Sequence, residues 1–122
     1  MPKKFIKSFK YARAGIEHAM RTQRNLWIHL GIGGIVLGVA FFLRVGLLEF
    51  SILTLTISFV LVTEMVNTAI EELVNILSPE HKVAAKLAKD VAAAAVLLAA
   101  LGSVLVGALI FLPKFLAWFN YA

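Results

Sequence analysis

Four patterns of apolar and polar positions follow one another along the 122 residues. From residue 3 to 24, Phe5, Ile6, Phe9, Ala12, Ile16, Ala19 and Met20 recur at mostly three- and four-residue intervals, with Lys and Arg prominent between them. That periodicity predicts an amphipathic helix with a basic face, suited to lying in the headgroup plane instead of crossing a bilayer. Residues 26–43 form an apolar run of 18 residues, broken only by His29 and ended by Arg44-Val45-Gly46. The run barely suffices to span hydrocarbon roughly 30 Å thick. A second apolar helix is predicted over 47–77, too long for a bilayer by about seven residues, so its last two turns project into water. Ser78-Pro79 reads as an N-cap followed by a first helical position, and a third long helix is predicted over 79–112, closed by Pro113-Lys114. Trp118 and Tyr121 lie beyond it as interfacial aromatics.

Smaller features fill in the packing. Gly34 and Gly38, four apart, predict close approach of the first span to a neighbour, and Ser51, Thr54 and Ser58 form a row suited to hydrogen bonding between helices. His29 is read as an interfacial histidine satisfied by headgroups or a carbonyl, with a proton relay as the alternative.

Composition makes the membrane reading firm. At 61% hydrophobic residues and a mean hydropathy of +0.89, the chain has too little polar surface to cover a water-soluble globule of its length. It is expected to be a single-domain, all-α integral membrane protein with three transmembrane helices and an N-terminal amphipathic surface helix. Seven of the twelve Lys and Arg fall in the first 24 residues, within a net charge of +5. Clustered basic residues stay on the cytoplasmic side and attract anionic headgroups. The expectation is therefore a multi-pass protein of the bacterial cytoplasmic membrane with its amino terminus inside; nucleic acid is not expected as a partner. The absence of cysteine excludes disulfides, thiolate metal sites and a cysteine nucleophile.

Candidate chemistry lies at the end of the second run. Taking Glu64 as origin, Asn67, Glu71 and Asn75 fall at about 300°, 340° and 20° around the helix axis, one polar stripe. Glu72 is off that stripe by about 80° and reads as a solvated charge. If hydrocarbon begins near Leu48, Glu64 lies ~24 Å along the helix and Glu71 ~10 Å further. An ionisable group at such depth is costly and by default marks a functional site. With helices two and three folded as a hairpin at Ser78, Asp90 and Lys89 are expected level with the start of the stripe, so that Glu64, Asn67, Glu71 and Asp90 converge at the cytoplasmic interface. Carboxylates at that density need cations, and hard oxygen donors suit Mg²⁺ with substrate phosphates. Phosphoryl transfer needs chiefly positioning and charge neutralisation. The residues alone support an intramembrane carboxylate site more strongly than any one reaction, and no G-x-x-x-x-G-K-[ST] phosphate loop is present.

The pattern Glu64-x-x-Asn67-x-Ala69-x-Glu71, followed by Ala88-Lys89-Asp90-x-Ala92-Ala93-x-Ala95-Val96, resembles the prokaryotic diacylglycerol kinase family. Arg24-Asn25-Leu26-Trp27-Ile28-His29 and Leu77-Ser78-Pro79-Glu80-His81 are similar to its undecaprenol kinase branch. The likeness covers about Phe9 to Pro113. It implies a homotrimeric membrane kinase with composite sites at subunit contacts, moving the γ-phosphoryl group of ATP to a lipid hydroxyl with Mg²⁺. By position, Glu64 matches the catalytic base, Asn67 a supporting residue, Glu71 a metal ligand, and Lys89 and Asp90 the nucleotide-binding pair, with Asn75 and Tyr11 near the nucleotide.

Two positions depart from that pattern. Gln23 stands where the family often has a glutamate as second metal ligand, and Asn75 where an aspartate is usual. Both keep an oxygen and lose a charge, so weaker Mg²⁺ capture is expected, with the base intact. The acceptor, undecaprenol or diacylglycerol, is left open, with a lean to undecaprenol. Other classes remain: a small proton-coupled transporter, which would want four spans and a glutamate in the first, or a structural membrane oligomer, which would not need the stripe.

Overall fold

The computed structural model describes residues 2–121, with the side chain of Tyr121, and so its interfacial role, outside the described residues. Four helices make up the chain: α1 (Pro2–Thr22), α2 (Arg24–Phe42), α3 (Leu47–Leu77) and α4 (Val83–Tyr121). The last three are long and apolar enough to cross a membrane. A single residue, Gln23, separates α1 from α2; its backbone is extended (φ −114°, ψ 104°) while its amide still closes the last turn on the Ala19 carbonyl at 2.8 Å. No glycine or proline forces this corner. Trp27 holds it by donating its indole N–H to the Met20 carbonyl at 2.6 Å, and Ala19 and Leu26, one on each side, are buried.

Arg44 ends the second corner in the left-handed region at φ 55°. The Val45 amide bonds to the Ala40 carbonyl and the Arg44 amide to that of Phe41, each at 3.2 Å. This is the six-to-one, five-to-two pattern that closes many helices, here with arginine where glycine is usual. At the third corner the structure departs from the sequence reading. Ser78 is the C-cap of α3, its amide bonded to the Val74 carbonyl. Pro79 occupies the second position of a turn closed by the His81 amide on the Ser78 carbonyl at 3.2 Å, and His81 is left-handed at φ 56°. The fixed φ of proline fits such a turn as well as a first helical turn, so α4 starts at Val83, four residues later than the expected Pro79. The Ser78 hydroxyl still caps, accepting the Lys82 amide at 3.4 Å.

The far end of α4 also departs. Pro113 lies inside the helix, which continues to Tyr121. Proline removes one hydrogen bond, whereas ending the helix in hydrocarbon would strand four carbonyls. The turn beyond it is tied to α3 by Lys114, whose Nζ lies 3.0 Å from the Glu49 carboxylate in an ion pair without hydrogen-bond alignment.

Two ties fix the register of α4 against α3. Lys89 donates to the Asn75 carboxamide near the turn, and Lys114 meets Glu49 at the other end. Going back 26 residues on α3 thus matches going forward 25 on α4. In that register Glu64 is level with Ala99, and Asp90 is level with Val74. The expected alignment of Asp90 and Lys89 with the start of the stripe is therefore wrong; they flank its outer end, roughly 15 Å from Glu64 along the axis. The cause is the four-residue delay in the start of α4.

α3 packs antiparallel against α4 and, on another side, against α2. The close approach to α2 is at Gly33, where a Cβ would stand 2.8 Å from Ile57 Cγ2. Gly34 and Gly38, expected to fill that role, face open space within the chain. The hydroxyl row does not bridge helices either: Ser51, Thr54 and Ser58 donate to carbonyls four residues earlier on α3, at 2.8–2.9 Å. Such back-bonding satisfies a hydroxyl without any neighbour. Much of the apolar surface, including Leu98, Leu101, Leu105 and Leu109 of α4, stays exposed, as it must where lipid or other chains supply the partner.

Because Ile57 is stiff at χ1, Gly33→Ala should lower stability by about 1–3 kcal/mol through overpacking. The expected signature is a lower unfolding midpoint in mild detergent, recovered in part by adding Ile57→Ala; additive losses would mean that the two residues do not meet.

Candidate active site

The polar stripe begins deep in the bundle. Glu64 is 2% exposed, Asn67 8% and Thr68 5%, all three facing inward from α3. Burying a carboxylate is unfavourable unless it is paired. What faces it is His29 of α2, with Nε2 3.7 Å from Glu64 Oε2. That separation permits attraction but not a hydrogen bond, and Oε2 has no hydrogen-bond partner. The Thr68 hydroxyl, one turn on, donates to the Glu64 backbone carbonyl at 3.0 Å and leaves the carboxylate alone.

One turn toward the helix end, the Asn67 amide donates to Glu71 Oε1 at 3.3 Å, which leaves Asn67 Oδ1 buried without a partner. The inner half of the site therefore contains two unsatisfied oxygens, both acceptors. At the outer end Asn75 receives Lys89, while Asp90 turns to Lys86 on its own helix at 2.7 Å. Among the described residues, no three His, Cys, Asp or Glu side chains lie close enough together to hold a metal ion.

The sequence-predicted residues thus fall into two groups. Glu64, Asn67, Glu71 and Asn75 share one face, and Lys89 joins them at its outer end. Asp90, Gln23 and Tyr11 make no hydrogen bond to any of the others. Gln23 caps α2 without a side-chain bond, and Tyr11 is 71% exposed on α1, seven residues or roughly 10 Å from where that helix reaches α3. That meeting point is His18, whose Nε2 lies 3.0 Å from Glu72 Oε1. Glu72, read from its angle as a solvated charge, is the residue of α3 that α1 holds. His29 was weighed in the sequence and set at the interface; its partner lies 35 positions away on another helix, which no local pattern signals.

An apolar cavity of about 180 Å³ continues inward from His29, lined by Ile32, Gly33, Leu53, Ile57 and Val60 among others. A cavity with mostly apolar walls and a histidine among its lining residues can hold a hydrocarbon chain. A basic recess of about 220 Å³, lined by His81, Lys86 and Lys89 among others, opens beside the turn.

The model of the prokaryotic diacylglycerol kinase family matches residues 10–111. The chain belongs to that family. It is 41% identical over 111 residues to a diacylglycerol kinase of Synechocystis sp., covering 90% of this chain and 63% of the relative. It is 40% identical over 111 residues to an undecaprenol kinase of Bacillus subtilis, covering 91% of this chain and 90% of the relative. The chain thus spans somewhat under two thirds of the first relative and nearly all of the second. The family is one of phosphotransferases with an alcohol acceptor, and the resemblance drawn from the Glu64 and Lys89-Asp90 blocks is confirmed over the stretch where it was drawn.

Since the Glu64 carboxylate is buried facing only an imidazole beyond hydrogen-bond reach, removing its charge should relieve the bundle. Glu64→Gln is expected to raise unfolding stability by about 1–3 kcal/mol, read from the denaturation midpoint in detergent. A less stable variant would show that the ionised carboxylate holds α2 to α3.

Proposed function

We propose that the chain is an ATP- and Mg²⁺-dependent lipid kinase that transfers the γ-phosphoryl group to the primary hydroxyl of a single-chain membrane alcohol of the undecaprenol type, with diacylglycerol as the poorer acceptor. The observation that carries this reading is the buried Glu64 carboxylate, with one oxygen free of hydrogen bonds, in a chain of this family; His29, which faces it, lines an apolar cavity. A carboxylate with a free oxygen at that depth can accept the proton of a hydroxyl that arrives from within the membrane. The acceptor preference rests on the Bacillus subtilis relative, of which this chain covers 90% and which is named undecaprenol kinase.

The donor set fits magnesium. Asn67, Glu71 and Gln23 offer hard oxygens, and Asn67 Oδ1 is buried and unsatisfied. Mg²⁺, when bound, neutralises charge on the phosphoryl oxygens; Glu71 and Gln23 would hold it, with nucleotide phosphates completing the shell. Asn67 orients Glu71 through its amide. Lys89 supplies positive charge to the phosphates at the outer end, beside Asp90, Asn75 and Tyr11 as nucleotide contacts. Those groups are too few and too scattered in one chain to enclose a nucleotide. This supports a homotrimer in which a second copy completes each site, seated against the alanine-rich face of α4. The same reading sets the amino terminus and the site on the cytoplasmic side of the bacterial membrane, with α1 on its surface.

The test is phosphoryl transfer from labelled ATP in detergent micelles, with undecaprenol and diacylglycerol offered side by side. Product from undecaprenol, absent with Glu64→Gln, is the expected result; product from neither lipid would refute the kinase reading, and preference for diacylglycerol would refute the acceptor. Gln23→Glu, restoring a charged ligand, is expected to lower the Mg²⁺ concentration for half-maximal rate by about three- to tenfold. An unchanged Mg²⁺ titration would remove Gln23 from the metal site.

A further inference from the structure

We infer that His29 is a positioning residue for Glu64 and the route by which Glu64 loses its proton after each turnover, an inference that rests on the kinase reading above. A general base must be reset. Glu64, at 2% exposure, has no direct path to water, so a proton taken from a membrane alcohol would stay on it and block the next cycle.

His29 meets the geometric requirements for the exit. Its Nε2 lies 3.7 Å from Glu64 Oε2, and among the described residues it is the only basic side chain within salt-bridge distance of that carboxylate. A shift of under 1 Å, within the range of one side-chain rotamer, would bring the pair to hydrogen-bond length. The imidazole side chain is 23% exposed, and it stands six residues, roughly 9 Å, from the Gln23 corner where α2 begins. Of the two facing groups it is the one with exposed surface, 23% against 2% for Glu64. Its placement is set by backbone: Gly33, one turn further on α2, lets the helix approach Ile57 so closely that no Cβ fits. That contact fixes the distance across which His29 faces Glu64. No other group competes, because Thr68 gives its proton to the Glu64 backbone carbonyl.

The step balances. The lipid hydroxyl oxygen forms a bond to the γ-phosphorus as the bond from that phosphorus to the bridging oxygen breaks, and ADP leaves with the electron pair. The hydroxyl proton passes to Glu64 Oε2, then to His29 Nε2, and the imidazolium releases a proton to interfacial water.

The full-length protein in lipid nanodiscs, with Mg²⁺, ATP and a polyprenol, provides the test. His29→Gln, close in size and unable to carry a proton, should lower kcat about 10- to 100-fold while KM for ATP and for the prenol stays within about twofold. His29→Gly should fall similarly and regain several-fold activity with added imidazole. A His29→Gln enzyme within threefold of the wild-type kcat, or one changed only in KM, would overturn the inference, as would a His29→Gly enzyme that imidazole does not rescue. A second readout needs no turnover: the ring ¹⁵N resonances of His29 at fixed pH should move when Glu64→Gln is introduced, and unmoved resonances would show that the two groups do not interact. Wild-type protein that phosphorylates no lipid would instead bring down the kinase reading, with the ¹⁵N comparison still deciding whether the pair exists.

Discussion

Glu64 is a carboxylate kept where carboxylates are least comfortable, and much of the chain's arrangement can be understood from what it takes to keep it there. It must lie on an inward face, so α3 has to be flanked on two sides, by α2 and α4. It must face something that can share or accept charge, and α2 brings His29 to 3.7 Å from it. That approach requires the two backbones to be near each other one turn deeper, which the missing side chain of Gly33 permits. The polar groups further along α3 become progressively better satisfied toward water: Asn67 half paired, Glu71 paired to Asn67, Asn75 paired to Lys89. The gradient runs from a reactive, under-satisfied inner end to a solvated outer end.

The length of α3 turns that gradient into a site with two compartments. From Glu64 to Asn75 is eleven residues, roughly 16 Å, so the buried carboxylate and the solvated carboxamide stand three turns apart. The α3–α4 turn sets the outer compartment, because the register it imposes puts Lys89 rather than a carboxylate opposite Asn75. The α1–α2 corner faces the same side, with His18 on Glu72 joining α1 to the end of α3.

Gln23 and Asn75 are both neutral carboxamides: Asn75 is exposed at the outer end of the stripe, Gln23 half-buried at the α1–α2 corner, and neither makes a hydrogen bond to Glu64. Asn75 has a use of its own in the structure, as the acceptor for Lys89. An aspartate there would pair with Lys89 more strongly than the carboxamide does.

Composition and periodicity by themselves determined the number of helices, the three apolar runs, the stripe from Glu64 to Asn75 and, through the Glu64 and Lys89-Asp90 blocks, the family. These are one-dimensional properties: a helix face is set by residue spacing, and hydrocarbon demands runs of a minimum length. What the sequence could not decide was everything that depends on how two helices meet. Ser78-Pro79 is compatible with a turn or with a helix start, and that four-residue ambiguity moved Asp90 away from Glu64. Pro113 reads locally as a stop, yet the backbone's need for hydrogen bonds in hydrocarbon and the Lys114–Glu49 pair carry the helix through it. Several glycines in α2 look equally able to allow close packing, and only the rotation of α2 about its axis selects Gly33. That same rotation turns His29 inward to Glu64, a pairing between residues 35 positions apart that exists only once the helices have packed.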